Sequence, residues 1–230
     1  MARPTSLHIA RPTSRSRSLV PLVLCVLVMG CQTTRVPEGA QVTIEEPPPV
    51  APWRSVVQAD HAEHLIGVDR AWSEALTLAR RGGFARRIAA EGELLDPGAA
   101  QPRATLPPGS YRCRLIRIGP PSRRQRALNA RGPFFCHVGV EGDRLSLTQQ
   151  TGTERPGGYL WPDSDVRMVF VGALATGREE VPPAYGANGD RDVVGWIERI
   201  GSFRYRLVMP FRAEGVTLEV MELIPAVSGA

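Results

Sequence analysis

The 230-residue chain contains no lysine; all 28 of its Lys/Arg positions are arginine. Aromatic residues make up only 6% of it, and it has just four histidines and four cysteines. Such scarcity leaves few ways to build a metal centre or a nucleophile paired with a base. No GxSxG elbow, SxxK motif or phosphate-binding P-loop occurs, so the familiar hydrolase and nucleotide signatures are missing. Acid is absent from the first thirty residues, which carry Arg3, Arg11, Arg15 and Arg17. Without that segment the formal charge of +5 shrinks to +1, because 24 Arg then face 23 acids. A strongly basic mature protein is excluded, and nucleic acid is not an expected partner. With 43% apolar and 22% charged residues the chain is neither a disordered polyelectrolyte nor a multi-pass membrane protein.

The N-terminus has the layout of an export signal. Arg-rich residues 1–18 precede an apolar run of twelve, Leu19–Gly30, which is too short to span a hydrocarbon core of about 30 Å. The next residue is Cys31, preceded by Val28-Met29-Gly30. This resembles the lipobox of bacterial lipoproteins, in which the cysteine is lipidated; Met29 is bulkier than the usual residue there, and a plain signal peptide containing a cysteine is the alternative. In such lipoproteins an Asp after the cysteine favours inner-membrane retention, so Gln32 implies an outer-membrane location facing the periplasm. Residues 31–52, with the run Pro47-Pro48-Pro49, read as an extended tether.

From Asp60, a capping candidate with Glu63, the residues Leu65, Val68, Trp72, Ala75 and Ala79 recur at helical spacing. Arg80-Arg81 and Gly82-Gly83 supply the stop. A second short helix is expected over Phe84–Leu95, giving a helical hairpin over 53–98 whose mixed charges and Trp72 favour packing on the sheet, with a membrane-surface helix as the alternative. After Pro108 the period changes to two. Strands are expected at Ser110–Ile118, Phe134–Val140, Arg144–Gln149, Tyr159–Trp161, Arg167–Leu174, Asp192–Ile200, Phe203–Met209 and Thr217–Ile224. In the seventh, Phe203, Tyr205, Leu207 and Met209 form a dry face, with Arg204, Arg206 and Val208 on a wet one. Tight turns at Gly142-Asp143 and Gly201-Ser202 make consecutive strands antiparallel. The expected fold is therefore mainly β with an N-terminal helical hairpin (α+β). Its 106–225 part is expected to be a small antiparallel, eight-stranded barrel, with a β-sandwich as the alternative; the Cys pair on early strands followed by a meander looks like the calycin or lipocalin-type barrels, in architecture only.

Cys113 and Cys136 lie in predicted strands of an exported chain, where a disulfide is the natural state and a pair of buried free thiols the alternative. His61 and His64 fit neither HExxH nor HxxEH, no metal site is expected, and no cofactor is implied. Asn188, Asp190 and Asp192 alternate like the start of a calcium loop but lack its later Gly and Glu, so a local turn is the better reading. No acid lies between Asp96 and Glu141, a span that holds eight Arg. Of these, Arg112, Arg114, Arg123, Arg124, Arg126 and Arg131 form a candidate patch for an anionic envelope component or periplasmic protein. The competing and favoured reading is a solvated Arg-rich loop, its arginines paired across the sheet with Glu219 or Glu222.

The stretch Leu106-Pro107-Pro108-Gly109-Ser110-Tyr111-Arg112-Cys113-Arg114 resembles a family of bacterial lipoproteins known only as a domain of unknown function. Pro133-Phe134-Phe135-Cys136, Thr151–Gly158, Gly172-Ala173-Leu174, Gly189-Asp190-Arg191-Asp192-Val193 and Glu198-Arg199-Ile200-Gly201 extend the likeness over most of residues 53–225. The resemblance implies no activity and transfers no catalytic residue. Arg155, Gly157, Gly158, Asp190, Arg191 and Asp192 are candidate functional-loop positions. The expected function is a lipid-anchored, non-enzymatic binding or envelope-support module, attached to the membrane through its N-terminal lipid. The alternative is a hydrolase acting on the envelope through loop acids around Asp190 and Asp192.

Overall fold

A computed structural model describes residues 52–123 and 125–226. Its helical part comprises α1 (Ala59–Ile66), α2 (Val68–Arg81) and α3 (Ala85–Glu91), the last followed by a 3-10 turn over Gly92–Leu95. The expected first helix is thus two. Gly67, the weakest helix former in the stretch, separates them, although Ala71 N–H still donates to the Gly67 carbonyl. The expected capping pair is not used. Gln58 occupies the cap position without a side-chain bond, and Asp60 accepts from the His61 amide.

All eight expected strands are present: β1 (Gly109–Ile118), β2 (Leu128–Glu141), β3 (Arg144–Gln149), β4 (Glu154–Pro162), β5 (Met168–Thr176), β6 (Asp192–Gly201), β7 (Arg204–Ala213) and β8 (Val216–Pro225). They pair antiparallel in sequence order, and β8 returns to β1, closing the barrel. Closure removes sheet edges, which is the main reason to prefer a barrel over a sandwich for this strand inventory.

Alternation along the strands makes two cores. Tyr111, Cys113, Cys136, Val138, Phe170, Ile197, Leu207 and Leu223 belong to the cluster that fills the barrel. Ile116, Ile118, Val169, Trp196, Val208, Leu218 and Val220 point outward and meet Trp53, Leu65, Trp72, Ala75 and Ala79 from the helices. The face of β7 expected to be wet is therefore covered: Arg206 and Val208 are buried beneath the helical part. Phe203, expected on the dry face, sits exposed in the β6–β7 turn. The helices cover apolar surface that a strand-by-strand reading assigns to water.

One end of the barrel is shut by the segment entering β1. Ala104 and Leu106 are buried in the interior cluster, and the Ala104 amide donates to the Asp165 carbonyl at 3.1 Å. Arg199 Nε holds the Pro102 carbonyl at 2.7 Å, and the Tyr111 hydroxyl donates to the Pro107 carbonyl at 2.6 Å. These contacts fix the segment across the strand ends.

Candidate functional site

The opposite end is open. A cavity of about 370 Å³ enters the barrel there, with Leu115, Phe134, Leu174, Met209 and Met221 among its apolar walls. Near the rim it is lined by Arg117, Arg131, Arg212, Glu154 and Glu219. Glu219 is buried and stands opposite Arg117 in the β1–β8 register. It accepts from the Nε atoms of both Arg117 and Arg212. Glu154 lies 3.3 Å from Arg117 Nη2 and 3.5 Å from Arg131 Nη1. Three arginines thus share two carboxylates, and one positive charge is left over.

Two of those arginines face inward only because the strands are irregular. Along β2, Phe134, Cys136 and Val138 point into the barrel. Strict alternation would send Arg131 outward. The pairing with β1 slips between Cys113 and Leu115, where β2 carries one extra residue at Gly132-Pro133, and Arg131 turns in. The same happens on β7. Tyr205, Leu207 and Met209 face in, the β7–β8 register slips between Pro210 and Ala213, and Arg212 lines the cavity. The extra residue there is Phe211, held at φ 48°, a conformation costly for a bulky side chain. Its ring packs on the helix-side core.

The sequence-identified positions are distributed differently from the expected patch. Arg114 lies outside the barrel, bonded to Glu222 and, at 2.6 Å, to Glu91, and Arg117 pairs with Glu219, as the cross-sheet alternative requires. Burial pushes the pKa of Arg114 down, and the hydrogen bonds it donates to Glu91 and Glu222 outweigh this and raise it above the ordinary arginine value. Arg112 is exposed on the outer face of β1. Arg123 and Arg126 line a shallow depression beside Gly82 and Phe84, and Arg124 lies outside the described residues. Only Arg131 of the six reaches the cavity.

Cys113 and Cys136 are bonded, with Cα atoms 6.1 Å apart, inside the barrel. Gly157 and Gly158, expected in a loop, are part of β4. Gly158 and Gly172 pass so closely that a Cβ on either would meet the other strand's backbone. Arg155 donates to the carbonyls of Gly152, Gly177 and Glu179, tying two connections together. Asp192 accepts the Gly186 amide with both oxygens at 3.0 Å, and Arg191 pairs with Glu179 at 2.8 Å. Asp190 is exposed in the short 3-10 turn Gly189–Arg191. His61 Nδ1 is 2.7 Å from the Tyr185 hydroxyl, and no cluster suited to a metal ion exists among the described residues. Cys31 lies outside the described residues.

Sequence reasoning missed Arg212 and the cavity itself. The available signal was proline: Pro133 and Pro210 sit where a regular interior strand would not place them, and each adjoins a bulge.

A family model described as a domain of unknown function, DUF4893, matches residues 53–223. No curated protein and no solved structure matches the chain.

Proposed function

The chain belongs to the DUF4893 family, a domain of unknown function, and we propose that it acts by binding: a small ligand enters the open end of the barrel and no reaction takes place there. The observation that carries this reading is the cavity of about 370 Å³, apolar in depth and charged at its rim, in a barrel whose other end is shut. That volume lies at the small end of the range typical of small-molecule sites. The two carboxylates lining it are engaged by arginine. A hydrolase built on Asp190 and Asp192 has less support, because Asp192 holds the Gly186 amide with both oxygens and neither acid lines the cavity.

The same reading places the barrel on the periplasmic side of the outer membrane, anchored by a lipid on Cys31. Its support is the sequence Val28-Met29-Gly30-Cys31-Gln32 behind an apolar run. A Cys31→Ser variant of the full chain is expected to lose membrane attachment; processed protein that still fractionates with membrane would overturn the anchor.

Methyl-labelled methionine tests the cavity. Met209 and Met221 line it, whereas Met168 is in the interior cluster but does not line the cavity. Titrating the full chain with 1-decanol is expected to move the Met209 and Met221 methyl signals saturably. Filling the wall with Leu174→Trp should abolish the response. If none of 1-decanol, sodium decanoate and inorganic phosphate binds, as read by those two signals and by calorimetry, the barrel is not a binding vessel.

A further inference from the structure

We infer that the ligand of this cavity is an amphiphile with a small anionic head and a short apolar tail, its head held at the rim by Arg117, Arg131 and Arg212. This rests on the binding reading above and specifies its chemistry. The wall supplies the tail site: Leu115, Leu174, Met209 and Met221 offer no hydrogen bonds. At about 30 Å³ per water-sized group, the space takes roughly a dozen non-hydrogen atoms, the size of a ten-carbon carboxylate.

The rim supplies the head site. Arg117 uses Nε on Glu219 and Nη2 on Glu154, and Arg212 uses Nε and Nη2 on Glu219. No contact among the described residues takes up Nη1 of either. Arg131 makes a single long contact, 3.5 Å to Glu154, and half of its side chain is exposed at 49%. Guanidinium donors and one uncompensated positive charge therefore face the entrance of an apolar space. Planar guanidinium groups suit carboxylate or phosphate oxygens. A neutral ligand leaves those donors to water, and a cationic one meets the excess charge.

The two bulges strengthen the inference. Each adds one residue at the rim and each converts an outward arginine into an inward one, at Arg131 and at Arg212. One of them holds Phe211 at a positive φ. Strain of this kind persists where the surrounding structure demands it, and it concentrates at functional sites.

The test compares sodium decanoate, 1-decanol and inorganic phosphate on the full chain, with the Met209 and Met221 methyl signals and calorimetry as readouts. Decanoate is expected to bind about tenfold or more tighter than 1-decanol. Arg131→Gln should remove about three- to tenfold of the decanoate affinity and leave 1-decanol unchanged. Glu154→Gln should tighten decanoate, and Arg112→Gln on the outer face should do nothing. Equal affinity for decanoate and 1-decanol would overturn the anionic head while leaving the binding reading intact. Phosphate binding at the rim as tightly as decanoate would overturn the amphiphile in favour of a free anion. Failure of all three compounds would sink both readings.

Discussion

Arg206 and Glu198 face each other across β7 and β6 at 2.7 Å, and neither side chain reaches solvent. Arg206 also donates through Nη1 to the carbonyls of Glu93, Leu94 and Asp96, and its guanidinium lies 4.9 Å from the centre of the Trp72 ring. Burial pulls its pKa below the ordinary arginine value, against the pull of Glu198. A single buried cation thus joins the barrel wall to the end of the helical part.

Arg206→Ala leaves Glu198 with Arg167 alone and strips three carbonyls of their donor. Breaking a buried pair costs about 3–5 kcal/mol. For a domain of this size that is a fall in melting temperature of roughly 6–20 °C. A loss smaller than a surface substitution, about 0.5 kcal/mol, would show that the pair does not hold the helices.

The Cys113–Cys136 bond closes a loop with a sequence separation of 23. Reduction of the purified protein is expected to lower its stability by about 2–4 kcal/mol. The measurement is a denaturant melt with and without reductant, paired with thiol labelling of the unfolded chain. Labelling of Cys113 and Cys136 themselves before reduction would refute the bond.

Gly158→Ala should be among the most damaging single changes in the wall. Its Cβ would fall 2.3 Å from the Val171 oxygen and 2.5 Å from Gly172 Cα, so β4 and β5 must separate. The expected cost is about 3 kcal/mol or more. Gly189→Ala is the control, because its Cβ meets nothing within 4 Å; it should stay within about 0.5 kcal/mol of the parent.

Stability should fall in mild acid. Burial lowers the pKa of His64 below its usual 6.5, repulsion from His61 adds to this, Asp60 opposes it and Arg70 reinforces it. The unfolded chain then takes up the proton more readily than the folded one. The contribution is complete above pH 6.5 and is lost as pH drops through the lowered value. Melting temperatures between pH 7.5 and 5 should show the decline, and His64→Gln should flatten it. An unchanged slope in that variant would assign the decline to other groups.

Most of the fold was legible because its signals are local. Period-two alternation located every strand, and the apolar stripe of α2 located its buried face. The two-sided burial of β7 was not legible, since nothing within Phe203–Met209 reveals that helices from residues 59–91 cover the outside. Arg114 and Arg117 paired with Glu222 and Glu219 as cross-sheet chemistry suggests. The cavity stayed hidden for a different reason. Alternation predicts facing only while the register holds, and two of the three rim arginines, Arg131 and Arg212, lie beyond a slip.

Those slips put the electrostatics of the mouth under the control of strand length. Removing one residue at Gly132-Pro133, or at Phe211, would rotate the adjacent arginine, Arg131 or Arg212, by half a turn, from cavity to solvent, without altering the wall deeper in the barrel. A chain of this architecture can therefore cancel the excess positive charge of its entrance by a single-codon deletion, a change that no residue-for-residue comparison would score as a change of binding residue. Relatives sorted by residue count in these two segments should separate into classes with different ligand charge, even where every lining residue is shared.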